Sequence, residues 1–265
     1  LGASLAMCQI LEVLEDADVA TYCIAHYDAQ RWAGTGSVPI DSSVSDRELL
    51  RYCIECRPDL LYFNRIPHGG PNPHPLTLAC IRQALDIPML AWWGDLDGDD
   101  VRMIDAQYPL IDLNLAIDHW PVERDTRNPG RFAYIWGPYP ASRVYDANKV
   151  RDISVSFVGS LGNDGGRRDG VDALRRAGVD VWVGGGRGEE DLPVDQYYDI
   201  LQRSRITVNF SARQLKGRPF GALHCGALLL EPAHTPLNRY FEPCIEYVSY
   251  ISISDMVEKV RYYLD

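Results

Sequence analysis

A chain of 265 residues exceeds one average domain, and two domains of about 120 to 140 residues each are the natural partition. The formal net charge of -11 excludes a broad nucleic-acid or anionic-membrane surface, because basic residues gather only in short patches. No apolar run approaches the roughly 18 residues of a membrane span, the N-terminus lacks the pattern of a signal peptide, and the odd count of 7 cysteines argues against a disulfide framework, so a soluble cytoplasmic protein with free thiols is expected.

The chain opens on Leu1, and residues 2–14 read as a helix with apolar positions Leu5, Ile10, Leu11 and Leu14. An α/β domain normally opens with a strand. A first strand and its glycine turn are therefore expected to be missing ahead of this helix, with Gly2 as a remnant of the turn. Strands are predicted at 20–26, 59–64, 88–93, 111–117 and 132–136, each short and rich in apolar, β-branched or aromatic residues. Helices fall between them at 45–56, capped by Ser45 and Asp46, and at 76–85 after a proline-rich turn. Right-handed crossovers turn this alternation into a doubly wound parallel sheet, whose ligand sites lie at the carboxyl ends of the strands.

Polar residues cluster at those ends. The loop NRIPHGGPNPH holds Asn64, Arg65, His68 and His74, and a histidine on such a loop is a candidate base or substrate contact, or a loop histidine with no role. WWGDLDGDD carries Asp95, Asp97, Asp99 and Asp100. Alternating carboxylates invite a metal reading, but no glutamate closes a calcium loop, and the competing reading is a helix cap with a solvated acidic turn. Asp95, directly at the strand end, is the stronger functional candidate. His119 closes another strand and is a further candidate beside Trp120. The CIEC at Cys53 to Cys56 has no second pair or histidine partner and reads as structural.

The composition changes at GPYPASRVYDANKVR, and the interdomain linker is placed at 139–151, between domains at 1–138 and 152–265. A strand at 153–159 opens the second domain. The glycine-rich turn SLGNDGGRRDG follows, with Asn163, Arg167 and Arg168, before a helix at 171–177. Glycine turn followed by helix suits an anion, although the spacing is not a dinucleotide fingerprint, and the arginines either clamp phosphate or are solvated at the helix start. A strand at 179–183, a helix at 194–204 opened by Pro193 and a strand at 206–210 follow. Then comes QLKGRPFGALHCGALLLE, residues 214–231. The basic pair Lys216 and Arg218 stands in a glycine-punctuated turn, followed by a helix and an apolar strand. That order brings backbone N–H groups and two cations to the mouth of the sheet, where phosphate is usually held.

DISVSFVGSLG, ITVNF, LKGRPFGALHCGALLLE and LNRYFEPCIEYVSY, closing with SDMVEKVRYYL, resemble the C-terminal domain of CgeB-like and related group 1 glycosyltransferases over most of 152–264. The resemblance is looser in the first half, at WWGDLD, DLNLAID and WGPYP. It implies an α/β GT-B fold, two Rossmann-like doubly wound domains facing across a cleft, with the nucleotide-sugar on the C-terminal domain and the acceptor on the N-terminal one. It further implies transfer of a sugar to a carbohydrate or other hydroxyl-bearing acceptor, with retention, with no metal or other cofactor and no nucleic-acid partner. Lys216 and Arg218 match the positions expected to neutralise the donor diphosphate, with Asn163 or Arg167 assisting and Asp95 or His68 near the acceptor. Glu246 matches a recurrent glutamate of the family.

One departure stands out. Relatives carry a ribose-binding glutamate where this chain has Gly221, and the acidic position eight residues earlier is Arg213. Either ribose recognition has moved, with Glu231 and Glu246 as candidates, or the donor is unusual, or the chain is a non-catalytic GT-B nucleotide-binding or scaffold protein.

Overall fold

The computed structural model describes residues 42–65, 73–94, 96–134, 146, 148–161, 165–185, 192–210 and 215–265. The helix expected at 2–14 and the strand at 20–26 lie outside the described residues. The chain divides into two compact units, Leu1–Pro138 and Tyr139–Asp265.

In the first unit α1 (Ser42–Cys56), β1 (Leu61–Arg65), α2 (Pro75–Leu85), β2 (Met89–Trp93), α3 (Gly98–Gln107), β3 (Leu113–Ala116), α4 (His119–Asp125) and β4 (Phe132–Tyr134) follow in order. The strands form a parallel sheet in the order β1-β2-β3-β4. Helix ends follow local chemistry. Pro75 supplies a preset φ at the start of α2, where its missing N–H costs nothing, and His74 caps that turn by accepting from Leu76 N at 3.2 Å. The α2 helix buries Leu78 and Ile81 against Met89, Ala91 and Trp93 of the central strand β2. The α1 helix begins three residues before the expected position 45, and Asp46 accepts from His74 N at 3.0 Å instead of capping α1. The short α4 helix was not anticipated from the sequence pattern; at 7 residues it is too brief to show a helical period.

The second unit runs β5 (Ile153–Val158), α5 (Gly165–Arg176), β6 (Val181–Gly184), α6 (Val194–Arg203), β7 (Ser204–Val208), α7 (Gly217–His224), β8 (Leu228–Pro232), β9 (Val248–Tyr250) and α8 (Ile253–Leu264). All pairings are parallel and the order is β6-β5-β7-β8-β9. The chain steps from β5 outward to β6, then returns to the other side of β5 at β7. The order therefore reverses between β5 and β7, and at such a switch point the loops diverge and open a crevice at the carboxyl ends.

The α5 helix starts at Gly165, not at 171, so part of the glycine-rich stretch is helical. Inside it, a Cβ at Gly170 would overlap the Phe210 ring, so glycine lets the helix approach the end of β7 more closely than any other residue would allow. Val171 and Leu174 then bury against Phe157 and Val155. The β7 strand starts two residues before the expected 206, at Ser204, which is buried, donates its hydroxyl proton to Ile200 O at 2.6 Å and lies 2.8 Å from Ser156 Oγ. Among the described residues no helix is long and apolar enough to cross a membrane.

Arg151 ties this unit together from outside its first strand. Its Nη1 donates to Ser204 O at 2.6 Å and its Nη2 to Cys225 O at 2.8 Å, the C-cap carbonyls of α6 and α7. One guanidinium thus donates to the closing carbonyls of two helices and carries the charge that both dipoles favour. Replacing Arg151 by Met should lower stability by about 1–3 kcal/mol. Urea unfolding of the two proteins checks this, and an unchanged midpoint would contradict the double cap.

Candidate anion site in the second unit

The first unit offers few of the expected groups. His68 and Asp95 lie outside the described residues, and Asn64 and Arg65 end β1 at its carboxyl edge. The acidic string after β2 is a capping box: Asp97 accepts from the N–H of Asp99 and Asp100 at 2.8 and 2.9 Å, and Asp100 Oδ2 accepts from Asp97 N at 3.0 Å. The cap was one of two readings of these residues, but the turn is not wholly solvated, since Asp100 is buried; Asp99 pairs with Arg102 at 2.5 Å. His119 stacks on Tyr134 with ring centroids 3.8 Å apart, and its Nδ1 lies 3.8 Å from Glu123. Cys53 is buried in the core while Cys56 is exposed, and burial pushes the Cys53 thiol up, away from reactivity. Among the described residues no group of three His, Cys, Asp or Glu side chains is placed to hold a metal ion.

The second unit has a more developed arrangement, at the switch point. Arg218 lies in the first turn of α7, and its half-buried guanidinium reaches across the ends of β5 and β7. Nε donates to Val158 O, and Nη1 donates to Asn209 Oδ1 at 2.5 Å. The guanidinium carbon sits 4.3 Å from the centroid of the Phe157 ring, a cation–π contact. Nη2 faces Gly159, where φ is 149° and a Cβ would overlap the guanidinium. Glycine is therefore required at the end of β5, both for the backbone angle and for the space. Burial pulls Arg218 down to about 10, still far above neutral pH, so it remains a cation.

Arg167, on α5, donates from Nη1 to Ser160 O at 2.9 Å. The two arginines thus bracket Gly159 from two helices, through the carbonyls on either side of it. They are close enough that the Arg167 charge further lowers Arg218. Lys216 is the N-cap of α7, and its side chain, having no acceptor, cannot cap the first turn. Of the three cations singled out in the sequence, Arg167 and Arg218 meet at the end of β5, and Lys216 stands two residues before Arg218 at the start of α7. Asn163 and Arg213 lie outside the described residues. Glu246 is exposed and closes a turn, accepting from Glu242 N at 2.7 Å.

Gly221 is a packing position. A Cβ there would come within 2.7 Å of Tyr197 Oη and 3.1 Å of Leu201 Cδ1, so α7 rests directly on α6. A glutamate would require the Tyr197 and Leu201 side chains to shift. Glu231, a candidate for replacing that glutamate, is only 2% exposed at the end of β8, and its Oε2 accepts from Asn209 Nδ2 at 2.8 Å. It belongs to an interior network and does not present a carboxylate to an outside hydroxyl. Burial pushes it up to about 8, against the opposing pull of the Asn209 hydrogen bond and the Arg218 charge. Asn209 itself went unassigned in the sequence reading. The available signal was its place as the first polar residue after an apolar strand.

These features have parallels in known proteins. Residues 166–265, which include Arg167, Lys216 and Arg218, match the family model described as Glycosyl transferase-like. HepE from Anabaena, solved with UDP-glucose, is similar in structure at a TM-score of 0.65 and 11% identity, over 98% of this chain and 85% of that one. Sucrose-phosphate synthase from Thermosynechococcus elongatus has a TM-score of 0.57 at 12% identity, over 95% of this chain and 77% of that one. A glycosyltransferase from Rickettsia africae gives 0.58 at 8% identity, over 87% and 73%. No curated protein matches by sequence. The fold is that of the GT-B glycosyltransferases, with an α/β unit and a parallel sheet in each half.

The Glu231 proton gives this site a pH signature. An unfolded chain releases it near 4.5, whereas the folded protein holds it until about 8, so the folded state binds the extra proton between those values. Stability should fall as pH rises from 4.5 to 8, by an amount on the order of a few kcal/mol. Glu231→Gln should remove that part of the slope. Urea midpoints measured across the window test it; identical slopes in the two proteins would show that Glu231 is ionised in the fold.

Proposed function

We propose that this protein is a cytoplasmic glycosyltransferase of the CgeB-like kind that moves a sugar from a nucleoside-diphosphate donor to a hydroxyl-bearing acceptor. One observation carries the proposal: two guanidiniums from separate helices converge on Gly159 at the switch point, beside the N-terminus of α7. Like charges held this close at a strand edge are complementary to a multiply charged anion, and the helix N-terminus adds N–H groups and a favourable dipole. The family match over 166–265, which includes both arginines, and the UDP-glucose bound in HepE support a nucleotide-sugar as that anion.

The chemistry fits the geometry. As the bond from the anomeric carbon to the diphosphate breaks, negative charge grows on the phosphate oxygens. Fixed cations that gain strength with that charge stabilise the transition state more than the bound donor. Lys216, Arg218 and Arg167 serve this role without a metal ion, and transfer proceeds with retention. His68 and Asp95 are assigned to the acceptor side. A second reading, a GT-B protein that binds nucleotide without turnover, is favoured by Tyr197 and Leu201 occupying the space beside Gly221.

A thermal-shift panel of nucleoside diphosphates and nucleotide sugars tests the proposal. A ligand at about a hundred times its Kd adds about 2.7 kcal/mol to stability, and silence across the panel would refute nucleotide binding. Lys216→Ala and Arg167→Ala should each weaken the responding ligand about tenfold or more while leaving the fold intact, as expected for loss of one charge-assisted hydrogen bond. Donor turnover should persist in a strong chelator. Binding without any sugar transfer to a broad acceptor set would select the second reading.

A further inference from the structure

Asn209 uses all four of its polar groups. Its N–H donates to Leu230 O at 2.9 Å, and its carbonyl accepts from the Tyr250 hydroxyl at 2.5 Å, which ties the backbone after β7 to β8 and to β9. Its side-chain Oδ1 accepts from Arg218 Nη1 at 2.5 Å, and its Nδ2 donates to Glu231 Oε2 at 2.8 Å. An amide has one acceptor end and one donor end, so only one orientation satisfies both neighbours. If the amide turned over, its NH2 would face the guanidinium and its oxygen would face the carboxyl. Asn209 and Glu231 are both buried, at 0% and 2% exposure, so water does not offer a substitute partner.

We infer that Asn209 and Glu231 are positioning residues for Arg218: the Glu231 carboxyl fixes the Asn209 amide the one way round that holds the guanidinium over the switch point. This rests on the reading of Arg218 as a diphosphate contact. It adds two residues to the site, neither of which touches the nucleotide. The arrangement solves a specific problem. A guanidinium reaching from α7 across to β5 has other rotamers open to it, and Val158 O alone would leave it free to pivot. A second acceptor on β7, itself locked from β8, defines its plane and aims the remaining N–H groups.

The neutral form of Glu231 suits this role. A carboxyl held protonated up to about 8 still offers a carbonyl oxygen to Asn209 Nδ2 without drawing on the positive charge next to it. The groups facing it are Asn209, Thr235, Arg218, Tyr247 and Tyr250; burial raises both tyrosines, so neither ionises in the same range. Above that range the carboxylate would compete with phosphate for the field of Arg218.

The test is calorimetric titration of the full chain with uridine diphosphate, and with the other nucleoside diphosphates, alongside urea unfolding. Asn209→Leu keeps the volume and removes both ends of the amide; it should weaken the diphosphate about tenfold or more, equivalent to one charge-assisted hydrogen bond. Glu231→Leu should do the same, whereas Glu231→Gln, which keeps an acceptor oxygen, should bind within about twofold of wild type. Wild-type affinity should decline as pH passes about 8, and Glu231→Gln should show no such decline. A purely structural role would make affinity track stability in all variants and leave the pH profile alone. If wild type binds and folded Asn209→Leu binds equally well, the positioning inference fails while the nucleotide reading stands. If wild type binds no nucleoside diphosphate, that reading fails and the inference with it.

Discussion

The second unit depends on one contact, the guanidinium of Arg218 lying across the ends of β5 and β7. It forms where the strand order reverses, over the Phe157 ring, against the Val158 carbonyl and the Asn209 amide. Much around it follows from making room for it and holding it. Gly159 must lack a side chain because the guanidinium occupies that space, and Arg167 approaches the same turn from α5. A cation held at low solvent exposure is costly unless its neighbours compensate, and here they are two oxygen acceptors and an aromatic face. Buried Glu231 supplies the far end of the chain without requiring a second full charge.

Several described polar groups of the first unit serve the backbone. Asp97 and Asp100 cap α3, Asp105 accepts from Thr126 Oγ1 and Arg127 N, and Arg131 donates to Tyr108 O and Ile111 O. Such bonds satisfy helix ends and loop amides that burial would otherwise strand. His119, stacked on Tyr134 at the carboxyl edge of the sheet, is among the described groups there with the chemistry to contact a substrate. Among the described residues the contrast between the halves is chemical: two guanidiniums meet at the strand ends of the second unit, while the Asp97 and Asp100 carboxylates after β2 are engaged in a helix cap.

The fold class was legible because parallel sheets buried on both faces require nearly continuous apolar runs, and runs such as MLAWW and ALLLE can be read directly. Element ends were less legible. The glycine-rich start of α5 looks like a loop in composition, and only the Phe210 ring packed against Gly170 explains why glycine is needed inside the helix. Lys216 and Arg218 could be singled out because they share a short glycine-punctuated turn. Their different roles could not be read, because Arg218 turns inward to partners up to 60 positions away. Gly221 looked like the loss of a ligand; in the fold it is the point where α6 touches α7. Glu231 read as a candidate for ribose recognition; in the fold it is buried and bonded to Asn209, 22 residues earlier. Periodicity captures local order, whereas these assignments depend on which strands become neighbours.

The central claim is that the strand edge at Gly159, Arg167, Arg218 and the start of α7 holds a diphosphate. A crystal structure of the protein with a bound nucleoside diphosphate tests it most directly. The account predicts phosphate oxygens within hydrogen-bond distance of the Arg218 guanidinium and of backbone N–H groups in the first turn of α7. A diphosphate bound elsewhere, with Arg218 unchanged and untouched, would contradict it.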